Sequence, residues 1–225
     1  AEAEASSTTV GGTIGIGAAE TVGTGDSSAT AKAVATGIEG DEGDDVITNT
    51  ASITVGGNTL GPMASAQAGA TSVTVGIAAG LNVGEASSNA AALAEANAAG
   101  ISSGSGDDWI YNTGDISVTP DPAGTGTTVS ASAQSTTVDV SVTVGASLGK
   151  SASDTSATAM ANLAGIRSGS GDDWVYNDGS ITVGADPSKP AAMAKATAAS
   201  ETVDVGITIG GSFGDASSKA SATAM

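Results

Sequence analysis

The sequence contains neither cysteine nor histidine. The first absence excludes a disulfide framework and thiol chemistry, and the second removes the commonest general base and metal ligand. Aromatic residues make up only 2% of the 225 residues, too few to fill a globular core with large side chains. Because most of the 40% hydrophobic fraction is alanine and valine, the composition predicts a backbone packed closely on itself, as in stacked β-coils.

Basic residues are also scarce: six lysine and arginine residues stand against 24 aspartate and glutamate residues, for a net charge of −18. This charge repels nucleic acid and anionic membranes, and it suits cation binding. No apolar run reaches the length of a transmembrane segment. We therefore expect neither a nucleic-acid partner nor membrane insertion.

The chain is organised around a repeated stretch that reads GISSGSGDDWIYN at 100–112. A near-identical copy lies at 165–177 and a more diverged one at 37–49, so the copies start 63 and then 65 residues apart. A fixed period of this kind is the signature of a repeat architecture. We expect a single continuous solenoid segment over 1–225, with repeats at approximately 1–36 (partial), 37–99, 100–164 and 165–225 (partial).

Both ends of the chain match the interior of a repeat. Residues 1–10 match residues 194–203, and residues 220–225 match the run that leads into Gly165. We therefore expect a segment of a longer array, with any signal or anchor outside it.

Each repeat contains three parts. In the first, valine and isoleucine alternate with smaller residues, as in Val73-Thr74-Val75, which predicts a strand with one apolar face. The second is an alanine-serine run such as 151–164; alanine favours helices, but the period of two in this run favours a strand. The third is the Gly-Asp-Asp turn with the Ile-x-Val segment after it. Insertions, deletions and all five prolines fall in segments that we interpret as exposed loops, at 56–62, 119–127 and 184–190.

These parts predict an all-β fold, a parallel β-solenoid (β-helix) built from repeats of about 64 residues. Two coils of roughly thirty residues or three of roughly twenty both fit one repeat, and the sequence does not choose between them. Each repeat is expected to bury its apolar face against the next, so that stability is roughly additive along the rod.

The Gly-Asp-Asp turn resembles the calcium-binding nonapeptide of RTX β-roll proteins. The match spans 103–111, with Ser103 in place of the first glycine and the other motif positions at Gly104, Gly106, Asp108 and Ile110. In that family stacked nonapeptides share calcium through aspartate carboxylates and turn carbonyls, so the resemblance implies calcium as the candidate cofactor. The alternative is a polar turn in which glycines permit left-handed backbone and aspartates cap it. The candidate metal ligands are Asp44, Asp45, Asp107, Asp108, Asp172 and Asp173.

The pattern of Gly-Ile, Gly-Asp-Asp and Ile-x-Val followed by alternating alanines also resembles repeats of large secreted bacterial β-helical proteins, including adhesins and autotransporter-like passengers. This resemblance implies an elongated β-solenoid outside the cell or at the cell surface. It does not imply a particular ligand.

Two kinds of side chain recur at fixed repeat positions. One position always holds asparagine, which would form a ladder between stacked coils: Asn49, Asn112 and Asn177. Two others hold aromatic residues in the second and third copies: Trp109, Tyr111, Trp174 and Tyr176. The aromatic residues either form an outer strip, where a carbohydrate or another partner could make contact, or fill a wide part of the solenoid.

We expect a structural role: a filament, fibre or cell-surface stalk whose segments associate end to end through their β-coils. The alternative is a calcium-dependent adhesin or binding module that contacts glycans or other cells. An enzyme is not expected, because the aspartate pair recurs three times in a similar context, whereas a hydrolase site uses one unique constellation of acids.

Overall fold

The computed structural model describes residues 1–17, 20–56, 64–79, 83–119, 129–144, 148–184, 192–207 and 213–225. Within these ranges the chain forms strands and turns and no helix. The strands are β1 (Glu2–Ile16), β2 (Glu20–Glu39), β3 (Val46–Asn49), β4 (Ile53–Gly56), β5 (Ala64–Ala79), β6 (Val83–Ser102), β7 (Trp109–Asn112), β8 (Ile116–Thr119), β9 (Val129–Val144), β10 (Leu148–Arg167), β11 (Trp174–Asn177), β12 (Ile181–Val183), β13 (Ala192–Ile207) and β14 (Phe213–Ala224). The alanine-serine runs lie in β2, β6, β10 and β14, which confirms the prediction of strands rather than helices there.

The strands pair in parallel with their counterparts in the neighbouring repeats, which produces four stacked sheets. Sheet A contains β1, β5, β9 and β13, and sheet B contains β2, β6, β10 and β14. The two sheets of short strands are sheet C (β3, β7 and β11) and sheet D (β4, β8 and β12). The predicted all-β parallel β-solenoid is therefore confirmed.

One repeat makes one coil. Ala29 pairs with Ala92, and Ala92 pairs with Ala157, so partners in sheet B are 63 and then 65 residues apart, as the repeats are. The expectation of two or three coils per repeat is therefore wrong. It assumed short strands, whereas strands of 16 and 20 residues, each spanning about 50 to 65 Å, use most of a repeat in two traverses of the molecule.

Sheets A and B lie face to face with small side chains between them. Ala66 of sheet A and Ala92 of sheet B are buried. Ser135 Oγ of sheet A donates a hydrogen bond of 2.8 Å to the carbonyl oxygen of Ala90 in sheet B. A serine hydroxyl has this reach only if the two sheets are closer than the spacing of about 10 Å in ordinary sandwiches. The small core side chains expected from the composition permit this approach.

Larger apolar side chains are buried where the chain turns through sheets C and D. Among the described residues, the largest fully buried ones are Ile110, Ile116 and Val118 in these two sheets, together with Ile101 near the end of β6 and Val129 at the start of β9. The glycine that precedes Ile101 lies under the Ile-x-Val strand, because a Cβ on Gly100 would overlap Ile116 Cγ2. The same relation joins Gly37 to Ile53 and Gly165 to Ile181. The glycine of each Gly-Ile pair thus makes room for the isoleucine of each Ile-x-Val segment.

The valine-rich half of sheet A presents its large side chains outward. Val10 and Ile16 are 74% and 84% exposed, whereas Thr74, at an inward position of the next strand, is fully buried. The predicted alternation is confirmed, but the expectation that its apolar face is buried is wrong. The inward positions here hold hydroxyl-bearing residues that can bond the backbone of the facing sheet, as Ser72 Oγ donates to the Gly25 carbonyl oxygen at 2.9 Å.

The expected loops at 56–62, 119–127 and 184–190 lie outside the described residues except at their first positions. Gly56 and Gly184 have φ of 102° and 72°, so both leave sheet D through a left-handed conformation that favours glycine. The predicted repeat boundaries stay a prediction, because a coil can be counted from any of its strands.

Candidate functional site

The Gly-Asp-Asp turn leads from the end of each long sheet-B strand into sheet C. Gly104 and Gly106 have φ of 102° and 138°. A Cβ on Gly104 would overlap the Asp41 carbonyl oxygen of the preceding coil. Asp41, which replaces this glycine in the first coil, has φ of 82°, a conformation that aspartate adopts more readily than most residues. The left-handed turns therefore stack directly on one another.

Ser103 stands where the RTX nonapeptide has its first glycine. Its side chain is fully buried, and its hydroxyl donates a hydrogen bond to the Ser168 carbonyl oxygen of the next coil. This departure from the RTX pattern thus supplies a contact between coils.

The first aspartate of each pair belongs to an exposed ladder. Asp44 Oδ1 accepts a hydrogen bond of 2.9 Å from the Asp107 backbone N–H of the next coil. Asp107 Oδ1 accepts one of 2.9 Å from the Asp172 backbone N–H. A charged acceptor makes such bonds stronger than neutral ones. Each carboxylate therefore binds its own coil to the following one.

The second aspartate forms a ladder that runs in the opposite direction. Asp108 Oδ1 accepts a hydrogen bond of 2.9 Å from the Asp45 backbone N–H of the preceding coil, and Asp173 Oδ1 accepts one of 3.1 Å from the Asp108 backbone N–H. Asp108 is fully buried in the stack. The two ladders together bind each turn to its neighbours on both sides.

The structure places the six candidate metal ligands in two columns rather than in one cluster. Within the described ranges, no group of three or more acidic side chains is arranged to hold a metal ion. The second carboxylate oxygens of Asp45 and Asp108 accept no hydrogen bond. The Asp45 oxygen lies against backbone, since a Cβ on Gly40 would be 2.7 Å from it. The carboxylates thus bond the backbone of neighbouring turns, and calcium binding stays a prediction.

The asparagine ladder is present. Asn49 Nδ2 donates to Asn112 Oδ1 at 2.6 Å, and Asn112 Nδ2 donates to Asn177 Oδ1 at 2.6 Å. Each asparagine also binds its own turn; Asn112 Nδ2 donates to the buried Gly114 carbonyl oxygen at 2.7 Å. The ladder is continuous because each repeat contributes one coil, so that equivalent side chains stack directly.

The aromatic residues form an outer strip on sheet C. The rings of Trp109 and Trp174 stack with centroids 4.8 Å apart, and those of Tyr111 and Tyr176 stack at 5.0 Å. Trp109 is 58% exposed, and the other three are also exposed. Of the two arrangements that the sequence allowed, the structure thus has the outer strip. Stacking covers the ring faces that lie between the two coils, so the strip presents ring edges and the outer faces of its end members to solvent.

Sequence reasoning missed a second asparagine contact on the outer face of sheet B. Asn162 Nδ2 donates to Asn97 Oδ1 at 2.9 Å, and Asn97 Nδ2 donates to Glu95 Oε1 at 2.7 Å. Glu95 also lies 3.9 Å from Lys32 Nζ in the preceding coil. The signal was present as two asparagines 65 residues apart within runs of small residues, but the first repeat has valine there, at Val34.

No family model, curated protein or solved structure matches the chain. Among the described residues, no helix has the length and apolar character needed to cross a membrane.

Proposed function

We propose that this chain is a structural segment of an extracellular filament, fibre or cell-surface stalk, without catalytic activity, that assembles by end-to-end stacking of its β-coils. The observation that carries the proposal is the uniform parallel pairing of successive coils in all four sheets. Sheet B shows it most fully, because β6 pairs with β2 on one side and β10 on the other over nearly its whole length of 20 residues. A coil of another copy can add in the same manner.

The edges of the stack favour such addition. One edge is formed by β1, β2, β3 and β4, and the other by β13, β14, β11 and β12. Strand edges of this length present rows of backbone N–H and C=O groups, which readily pair with another strand. Within the described ranges, both edges consist of strands and neither is covered by a helix.

Sheets A and B carry such a junction. They contain four strands each, whereas sheets C and D contain three. A second copy stacked in register would therefore place its β1 and β2 next to β13 and β14, and its β3 would lie two coil positions from β11. The asparagine ladder does not continue directly across this junction, so the pairing between chains depends on the two sheets of long strands.

The proposed location outside the cell follows from the resemblance to secreted β-helical repeats. The absence of cysteine suits a protein that keeps its structure without disulfides, and the net charge of −18 keeps contacts between its charged surfaces weak. Localisation of the full-length protein by immuno-electron microscopy tests this part of the proposal. Labelling confined to the cell interior would contradict it.

Electron cryo-microscopy of the purified chain over a range of concentrations tests the stacking. We expect rods with an axial spacing of about 4.8 Å that lengthen with concentration and survive a calcium chelator. Discrete single-chain particles at every concentration would contradict the proposal. Rods that form in the absence of a chelator and disassemble when it is added would still support stacking, and they would show that stacking requires calcium.

A matched pair of edge variants sharpens this experiment. Met225 bonds to Ala159 and Ala161 of β10 through both its N–H and its C=O. Since backbone groups alternate in direction along a strand, the N–H groups of Ala220 and Ala222 point away from β10, toward the open edge. The variant Ala220→Pro/Ala222→Pro removes these donors and should shorten the rods, whereas Ala220→Ser/Ala222→Ser keeps them and should not. Rods of equal length in both variants would contradict stacking through this edge.

The exposed aromatic strip favours a second candidate function, a calcium-dependent binding module that contacts glycans or other cells. A glycan-array screen with and without chelator tests it, using the wild-type chain and a Trp109→Ala/Tyr111→Ala variant. Retention that requires the aromatic residues and calcium would support this function. Equal signals from the two proteins, or none from either, would remove it.

A further inference from the structure

The outer face of sheet A carries an apolar surface near the C-terminal ends of β1, β5 and β9. We call it the valine face, and its twelve positions are Val10, Gly12, Ile14, Ile16, Val73, Val75, Ile77, Ala79, Val138, Val140, Val142 and Val144. Strand pairing aligns them in four columns across three coils, for example Gly12 with Val75 and Val75 with Val140. None of the twelve is charged, although the chain has a net charge of −18.

The valine face is open in the described part of the chain. Sheet A packs against sheet B with its opposite face, where Thr74 and Thr137 are fully buried. On the outer side, Val10 remains 74% exposed, and Ile77 and Val144 are each 37% exposed. An apolar face that is left outside while threonine is buried points to a surface with a partner.

The size of the valine face can be estimated from strand geometry. Outward positions repeat every two residues, about 6.6 Å, along a strand and about every 4.8 Å between strands, so each position covers about 30 Å². Twelve positions cover roughly 400 Å², which is within the range of the largest apolar patches on monomeric proteins, and such patches are often functional.

The periodicity of the valine face indicates what covers it. From β1 to β9 the surface repeats with every coil, at about 4.8 Å. Strand β13 continues three of the four columns with Val203, Val205 and Ile207, while Glu201 takes the place of valine in the column of Val138. A partner that matches the surface along the stack must carry the same repeat. A second copy of this chain carries that repeat, and its valine face is equally flat and uncharged. Rows of β-branched side chains on two facing sheets can interdigitate in a dry interface, as in steric zippers.

We infer that two copies of the solenoid pair laterally through their valine faces. Pairing of the twelve positions on each copy would bury roughly 800 Å² in total, somewhat less than the roughly 1,000 Å² that a specific interface needs. Each further coil in a stack adds roughly 250 Å². Lateral pairing is therefore weak between single chains and strong between stacks. It goes beyond the proposed end-to-end stacking, because it uses a different face of the molecule.

The test compares three proteins by electron cryo-microscopy and sedimentation equilibrium. The first is the wild-type chain. The second carries Val73→Thr, Val75→Thr, Val138→Thr and Val140→Thr, which remove apolar groups from the valine face but keep side-chain shape and strand propensity. The third is a matched control with Val22→Thr and Val34→Thr, two exposed positions on the outer face of sheet B. Far-UV circular dichroism checks folding, and Val75→Thr/Val140→Thr replaces the fourfold variant if that variant is unfolded.

We expect wild type and control to form paired rods, with twice the mass per length of a single stack. The fourfold variant should form single rods of unchanged length, and its lateral association constant should fall by at least about 100-fold. If rods do not form, sedimentation at high concentration should still show a wild-type dimer that the fourfold variant lacks. Rod length thus reports on stacking, and rod width or dimer mass reports on the valine face.

Three results would overturn the inference. The first is wild type that is single and monomeric in both measurements. The second is a fourfold variant that pairs as well as wild type does, or a control that loses pairing to the same extent. The third is wild type that stays unpaired but binds phosphatidylcholine vesicles through the valine face, which would assign the surface to lipid.

Discussion

Replacement of Asn112 by alanine removes the central member of the asparagine ladder. This fully buried side chain takes part in three hydrogen bonds. It accepts from Asn49 Nδ2 at 2.6 Å, and it donates to Asn177 Oδ1 at 2.6 Å and to the Gly114 carbonyl oxygen at 2.7 Å. The substitution therefore affects three successive coils at once.

The expected loss of unfolding free energy follows from these contacts. Each intramolecular hydrogen bond contributes about 1 kcal/mol net, and a buried group left without a partner costs a further 1 to 3 kcal/mol or so. The Gly114 carbonyl oxygen is buried and loses its bond to Asn112. We therefore expect Asn112→Ala to lower the free energy of unfolding by about 4 to 6 kcal/mol.

Asn177→Ala is the matched control. Asn177 is exposed, and it accepts from Asn112 and donates to the Gly179 carbonyl oxygen. Because water can replace these partners, we expect a loss of about 1 kcal/mol.

Urea unfolding followed by far-UV circular dichroism measures both losses, at protein concentrations low enough that stacking does not add to stability. A loss for Asn112→Ala that does not exceed the loss for Asn177→Ala would refute the reasoning. It would mean that the ladder is not a source of stability.

Three other predictions concern the turn and the aromatic strip. Gly104→Ala should lower the free energy of unfolding by at least about 2 kcal/mol, because Gly104 has φ of 102° and no room for a Cβ. The control Gly69→Ala should change it by less than about 0.5 kcal/mol, because no atom lies within 4 Å of a Cβ built on Gly69. Thermal unfolding of the two variants compares these losses. Asp108→Ala should lower the melting temperature more than Asp108→Asn does, because asparagine keeps an oxygen that can accept the hydrogen bond from the Asp45 backbone N–H of the preceding coil. Equal decreases in melting temperature for the two variants would contradict the ladder role of the carboxylate. The stacked rings of Trp109 and Trp174, 4.8 Å apart, should give an exciton couplet in circular dichroism that Trp174→Phe abolishes, and a couplet unchanged by that substitution would contradict the stacking.

The candidate site was predictable where a residue acts through its own repeat position. Asn49, Asn112 and Asn177 occupy one column because the period of the sequence is also the period of the coils. The aspartates were harder to interpret, since a carboxylate beside a glycine-rich turn suits both a cation and a backbone N–H. Only the folded structure shows that Asp107 and Asp108 accept hydrogen bonds from backbone N–H groups of opposite neighbouring coils.

The repeat, the strand content and the parallel stack are all predictable from the sequence. A period of 63 to 65 residues indicates stacked repeats, and small side chains at every second position indicate strands whose sheets can approach closely. The number of coils per repeat follows only from the folded chain, since several short strands or two long ones can occupy the same length of sequence. The same is true of which face of the valine strand is inside. Alternation shows that Val73 and Val75 share a face, but only the packing of sheet A on sheet B shows that the opposite face is buried, where the Ser72 hydroxyl bonds the backbone of sheet B and Thr74 is fully buried.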